Sequence, residues 1–344
     1  MKAWIIDRIA KIELDSTPLS MTDLPTPEPR EDQVLIKVEA CGVCHTEIDE
    51  IEGRAAPPTL PMVPGHQVVG RVVERGGMAK RYQIGDRVGV AWIYESCGEC
   101  EYCVRGLENL CPSFRATGRD AHGGYAEYMV VREKFAYPIP VQIDSYAAAP
   151  LLCAGAIGYR SLRLTQLQNG MRLGLTGFGA SAHLVLLMTK ALYPESEIYV
   201  FSRSESEQEF ARQLGAVWAG AIDDTAPQPL HAIIDTTPVW KPVLEALRNL
   251  SAGGRLVINA IRKETIDRNL LVELDYPSQL WLEKEIKSVA NVTRQDVEGC
   301  LQLIAQENIC PEYQLYAFDQ ANQAIIDLRN RKIKGAKVLK VLER

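Results

Sequence analysis

Two rhythms of apolar residues divide the chain. Up to about residue 150, short β-branched runs are separated by turns: Val34 to Val38, Val68 to Val73 and, after the Gly85-Asp86 turn, Val88 to Val90. Runs of this length and composition predict strands. Pro25, Pro27 and Pro29 mark a loop before the first of them. From Ala147 to Leu164 the apolar spacing becomes helical and rich in alanine and leucine. Short apolar runs then alternate with longer helical ones. Strands are predicted at Arg172 to Thr176, Ile198 to Phe201, Ala232 to Asp235 and Arg255 to Ile258. Helices are predicted at Ala182 to Leu192, Glu205 to Leu214 and Pro242 to Leu250. Strand and helix in alternation predict an α/β fold with a parallel sheet covered on both faces. After about residue 290 two helices, Asp296 to Glu307 and Asp319 to Arg329, precede a last strand, Lys337 to Leu342.

Length and composition agree with that division. The 344 residues correspond to about two domains at roughly 150 residues each. Net charge is −6, from 38 basic and 44 acidic side chains. Such a chain is a poor match for a nucleic-acid backbone. No apolar run approaches the roughly 20 residues of a membrane helix. Charge arrives at Lys2, Asp7 and Arg8, before a signal-peptide core could form. The expectation is a cytoplasmic protein with no nucleic-acid or membrane partner.

The nine cysteines are odd in number, which argues against a disulfide framework. Four of them crowd together as Cys97-x2-Cys100-x2-Cys103-x7-Cys111. Four thiolates on small loops can close a tetrahedron around one soft cation and leave no open position, so such a site is structural. An iron–sulfur cluster uses the same number of cysteines, and spacing alone does not exclude it.

A second motif follows the strand that ends at Thr176. Gly177-Phe178-Gly179-Ala180-Ser181-Ala182 fits G-x-G-x-x-G/A and opens a helix. Gly177 permits the tight turn, Gly179 lets the backbone approach a pyrophosphate, and the small Ala182 lets helix and strand pack closely. The N–H groups and dipole of the helix start suit the anion. About 20 residues on, NAD sites place an acid against the ribose. Here the strand ends in Ser202-Arg203-Ser204, with no carboxylate and with an arginine suited to a 2′-phosphate. NADP(H) is therefore favoured over NAD(H).

Three further candidate ligands lie far apart: Cys44 in Cys41-Gly42-Val43-Cys44-His45-Thr46-Glu47, His66 in Pro64-Gly65-His66-Gln67, and Cys153 in Leu151-Leu152-Cys153-Ala154-Gly155. Two thiolates and an imidazole leave zinc an open fourth position, as a catalytic site requires. Spacing alone does not assemble them. Together with the four-cysteine segment and the glycine loop, these motifs make five, in order, over nearly the whole chain. In that order the chain resembles the zinc-containing alcohol dehydrogenases of the medium-chain dehydrogenase/reductase family.

The resemblance implies a GroES-like β catalytic domain over residues 1–150, a Rossmann dinucleotide domain over 151–290 and a return to the first domain over 291–344. The active site is then expected in the cleft at the domain junction. It implies two zinc ions per chain, a catalytic one on Cys44, His66 and Cys153 and a structural one on Cys97, Cys100, Cys103 and Cys111. Cys41 is not expected to bind metal. Thr46 matches the hydroxyl that bonds the substrate oxygen, Glu47 the acid behind the histidine ligand, and His45 a position near the cofactor pyrophosphate. The implied activity is hydride transfer between a small alcohol or aldehyde and NAD(P), with polyol or cinnamyl-type alcohols as alternative substrates. A non-catalytic zinc-stabilised dinucleotide sensor is the rival from another class.

Two positions depart from the family. Gln67 stands where glutamate usually follows the histidine ligand, and Asp49 stands where many relatives end a proton relay with histidine. Trp92 matches an aromatic of the substrate pocket. His122 is expected to be structural, His183 to pack or cap, and His231 to lie at the surface. Cys300 and Cys310 are expected in the core. Lys334 and Lys337 are candidates for reaching cofactor phosphate. A homo-oligomer, dimer or tetramer, is expected, paired through an edge strand near Ile258.

Overall fold

The computed structural model describes residues 1–13, 15–330 and 335–342. The chain divides into two compact units, Met1–Ala156 with Val292–Arg344, and Ile157–Asn291.

The first unit is built on a seven-stranded sheet with Gln33–Val43 near its centre. That strand pairs antiparallel with Val68–Arg75, Tyr128–Arg132 and the late strand Ala336–Lys340. The last pairing is what ties the C-terminal segment to the N-terminal one. Val34, Ile36, Val38 and Ala40 alternate along it and are wholly buried, while Lys37 between them is exposed. The strand runs five residues beyond the predicted Val38 and delivers Cys44 at its end.

In the second unit six strands form an entirely parallel sheet. Their order is Trp218–Gly220, Ile198–Phe201, Leu173–Thr176, Leu230–Asp235, Leu250–Ile258, Glu285–Ser288. Numbered along the chain this is 3-2-1-4-5-6, the doubly wound dinucleotide-binding order. Leu173–Thr176 and Ile198–Phe201 are buried at every position, as strands covered on both faces must be.

Several expectations need correction. The helix predicted from Ala147 to Leu164 is interrupted. An α-helical segment, Ser145–Pro150, passes into a π-helical turn, Leu151–Gly155, before Ala156–Thr165 resumes as α-helix. Pro150 has no N–H to give, and π turns often occur at functional sites. Ile258 is not on an edge, because Leu250–Ile258 is paired on both sides; the edges are Trp218–Gly220 and Glu285–Ser288. The latter was missed because all four of its residues are exposed and it lacks an apolar face. His231 is half-buried and its Nδ1 accepts the Arg172 N–H at 2.9 Å. Cys300 is buried, but Cys310 is exposed. Lys337 is buried under the Tyr316 ring, donates to the Ala324 carbonyl at 3.2 Å and is lowered by burial to about 8. It therefore does not present itself to a phosphate. Lys334 lies outside the described residues.

Candidate metal centres and dinucleotide loop

Cys44 is the N-cap of the short helix His45–Ile51. Its sulfur accepts the Thr46 N–H at 3.3 Å, and its own N–H donates to Glu47 Oε2 at 2.8 Å. The other Glu47 oxygen, Oε1, lies 2.7 Å from His66 Nδ1. One buried carboxylate thus fixes the turn that carries a thiol and the orientation of the imidazole. His66 Nε2 faces Cys44 Sγ, 3.4 Å away, and in the tautomer with its proton on Nδ1 it would offer a metal its lone pair.

His66 is set by the backbone before it. Gly65 has φ +97°, and a Cβ there would fall 2.3 Å from the Tyr125 ring. Only glycine serves at such a position. The imidazole is fully buried and packs edge-on to Trp92, with ring centroids 4.8 Å apart. Cys153 comes from the π-helical turn. The three ligand atoms of Cys44, His66 and Cys153 lie within 4.8 Å of one another.

These donors fit zinc. Bonds of 2.3 Å to sulfur and 2.0–2.1 Å to nitrogen place tetrahedral S and N ligands about 3.5 Å apart, close to the 3.4 Å found. Electrostatics points the same way. The neighbouring Cys153 thiol, burial and Glu47 hold the Cys44 thiol well above its ordinary value, so a thiolate pair here calls for a cation. Burial alone would lower the pKa of His66, but Glu47 and Cys44 outweigh it and hold it well above the usual range.

Around the triplet, His45 is exposed and Thr46 half-buried. Asp49 Oδ1 accepts Arg54 Nε at 2.6 Å. Gln67 is buried, packed so closely on Gly42 that a Cβ there would lie 2.7 Å from its amide. His122 Nδ1 accepts the Val63 N–H at 3.1 Å and burial lowers its pKa, a backbone-bracing arrangement.

The four-cysteine lobe is equally close-set. Its sulfurs also fall within 4.8 Å of one another, with Cys97 3.8 Å from Cys103 and 3.5 Å from Cys111. Four sulfurs at 2.3 Å from a tetrahedral centre are about 3.8 Å apart. The N–H groups of Glu99 and Cys100 lower Cys97 to about 6, which favours its thiolate. Glu108, buried, is bonded by Arg294 Nε at 2.7 Å, and this pins the lobe to the late helix Arg294–Gln306.

In the second unit, Gly177 takes φ +78°, and a Cβ on it would lie 2.8 Å from Thr236 Oγ1. A Cβ on Gly179 would meet nothing within 4 Å. That open side is where a ligand can approach the N–H groups of the helix Ala180–Leu192. Ala182 is fully buried, and so nearly is His183, whose Nδ1 is 3.3 Å from the Gly179 carbonyl. Asp235, buried at the adjacent strand end, accepts Thr176 Oγ1 at 2.6 Å and Thr237 Oγ1 at 2.7 Å and pairs with Lys263.

Residues 30–141 match the alcohol dehydrogenase GroES-like domain. The chain is 42% identical to a probable alcohol dehydrogenase, AdhA, of Mycobacterium tuberculosis, over 98% of this chain and 97% of that one. It is 31% identical to an alcohol dehydrogenase of Geobacillus stearothermophilus over the full length of both. This chain belongs to the alcohol dehydrogenase family. A solved cinnamyl alcohol dehydrogenase of Sorghum bicolor is 25% identical, with a TM-score of 0.82 over 98% of this chain and 97% of that one.

Against the alcohol dehydrogenase pattern, three charged residues near the expected sites were missed from sequence. Arg54 holds Asp49. Glu50 is fully buried, and neither of its carboxylate oxygens has a hydrogen-bond partner among the described residues. Burial and the neighbouring Glu47 raise its pKa well above the carboxylate range. Glu207 reaches back to Ser202. Only Glu207 left a signal, the Ser204-x-x-Glu207 spacing of a helix start. Among the described residues no helix is long and apolar enough to cross a membrane.

Proposed function

We propose that the chain is a zinc-dependent alcohol dehydrogenase or aldehyde reductase, moving a hydride between a primary or secondary alcohol and a nicotinamide dinucleotide. The observation that carries this reading is the convergence of Cys44, His66 and Cys153 with Glu47 bracing two of them. Three ligands leave a tetrahedral metal one position for substrate. Zinc there would supply a Lewis acid for the substrate oxygen. Glu47 keeps His66 in the ligating tautomer. Thr46, two residues after Cys44, is the hydroxyl that accepts the alcohol proton as the C–H hydride departs while passing its own proton onward, and the relay runs backwards in the reductive direction. Asp49, paired with Arg54, is the further acceptor on the same helix. His45 is exposed, at the position proposed to lie near the cofactor pyrophosphate. Cys97, Cys100, Cys103 and Cys111 would hold a second, structural zinc.

For the dinucleotide, Gly177, Gly179 and Ala182 shape the loop and the helix start binds the pyrophosphate. Arg203 supports NADP(H), whereas the Glu207 carboxylate on Ser202 acts against a 2′-phosphate. Reduction of a simple aromatic aldehyde tests the activity. Stripping metal with a strong chelator should abolish turnover, and zinc should restore it. Undiminished turnover by metal-free protein would sink the reading. A second copy of the chain is the proposed partner along the Glu285–Ser288 edge, whose outer backbone groups are unpaired among the described strands. Sedimentation equilibrium showing a monomer would remove that part.

A further inference from the structure

The end of the strand Ile198–Phe201 holds an acid that the residue order conceals. Ser202 is only 2% exposed, and its hydroxyl donates to Glu207 Oε2. Ser202 Oγ in turn accepts the Ser204 N–H at 3.3 Å, and the Ser202 carbonyl accepts Gln208 Nε2 at 2.8 Å. The Glu207 N–H lies 3.4 Å from Ser204 Oγ. The first turn of the helix Glu205–Leu214 is thereby folded back onto the strand end. Ser202 has spent its proton on Glu207, so the group this strand end offers is a carboxylate. Arg203 is exposed and makes no ion pair among the described residues.

A ribose diol and a ribose 2′-phosphate ask for opposite partners. The diol needs an acceptor for its O–H groups, and a carboxylate has lone pairs for both. The phosphate carries up to two negative charges and needs donors and cations. Resting on the dinucleotide reading above, we propose that Glu207 is the specificity-determining residue of the ribose subsite: it accepts from the 2′-hydroxyl of NAD(H) and turns away the 2′-phosphate of NADP(H), against the pull of Arg203. The acid comes from the following helix instead of the strand terminus, which is why the usual offset of about 20 residues from the glycine loop does not find it.

Binding of NADH and NADPH to the zinc-loaded protein, followed by nucleotide fluorescence, decides the matter without turnover. The wild-type protein should bind NADH at least about tenfold more tightly than NADPH, a difference of about 1.4 kcal/mol. Glu207→Gln should move the two affinities in opposite directions, weakening NADH and strengthening NADPH about tenfold. Arg203→Ala on that background should take the NADPH gain away. Ser202→Ala keeps the acid and should keep the wild-type order. A wild-type preference for NADPH overturns the proposal. So does a Glu207→Gln variant in which both affinities shift the same way, as a merely structural role would give. If neither nucleotide binds the wild-type protein, the dinucleotide reading itself fails and the proposal falls with it.

Discussion

Replacing Cys153 by alanine is expected to lower kcat/KM for aldehyde reduction by about 10^4-fold, equivalent to about 5.5 kcal/mol of transition-state stabilisation, and to remove one of two zinc ions per chain. The physical reason lies in the ligand count. A catalytic zinc is held by three protein donors, and Cys153 is the one that Glu47 does not brace. Without it, Cys44 and His66 remain correctly placed but offer two ligands, and the metal is lost to competing chelators. The fold should tolerate the change. Cys153 is half-buried on a helical turn, where alanine is a good helix former. The glycine loop proposed for the dinucleotide belongs to the other compact unit, so NADH or NADPH affinity should be unaltered. Metal analysis, initial rates and nucleotide titration on one preparation check all three. Retained zinc stoichiometry, or a rate within tenfold of wild type, would remove Cys153 from the site.

What the sequence made legible follows from where the physics is local. The parallel strands were read from short runs such as Ile198 to Phe201, because burial on both faces leaves no polar position to blur them. The glycine loop was readable because Gly177 needs a positive φ and the helix after it begins at once. The candidate metal ligands were read only as a family pattern. Cys44, His66 and Cys153 come from a cap, a glycine-bent segment and a π turn, and no periodicity links the three. The failures are long-range as well. Lys337 reads as an exposed charge in a terminal strand, yet its stem is covered and its amine finds a carbonyl and an aromatic ring. The strand Glu285–Ser288 has no apolar face and is defined only by pairing with its neighbour. Ser204 and Glu207 have the spacing of a helix start, but that the Glu207 carboxylate turns toward Ser202 depends on a bend no spacing rule records.

The second large effect belongs to the four-cysteine lobe. Cys111→Ser should drop the melting temperature by about 10 °C or more, from a loss of at least about 4 kcal/mol at about 2–4 °C per kcal/mol for domains of 150–250 residues. It should also remove one zinc per chain while leaving the Cys44 site loaded. The lobe has little else to hold it. Its helix Glu101–Val104 buries no residue, and Val104 and Leu110 are exposed. Apart from the sulfurs, the Glu108–Arg294 pair is the main tie between the lobe and the late helix, and one ion pair with a half-exposed arginine contributes little. Metal binding at such a site is therefore folding energy. The damage should stay local, because the neighbouring strand Arg87–Val90 is paired on both sides. Hydrogen exchange is expected to quicken across residues 97–111 and to stay slow in the strand Gln33–Val43. An unchanged melting temperature with two zinc ions still bound would show that Cys111 is no ligand. A uniform rise in exchange across the first unit would show instead that the lobe is part of its core.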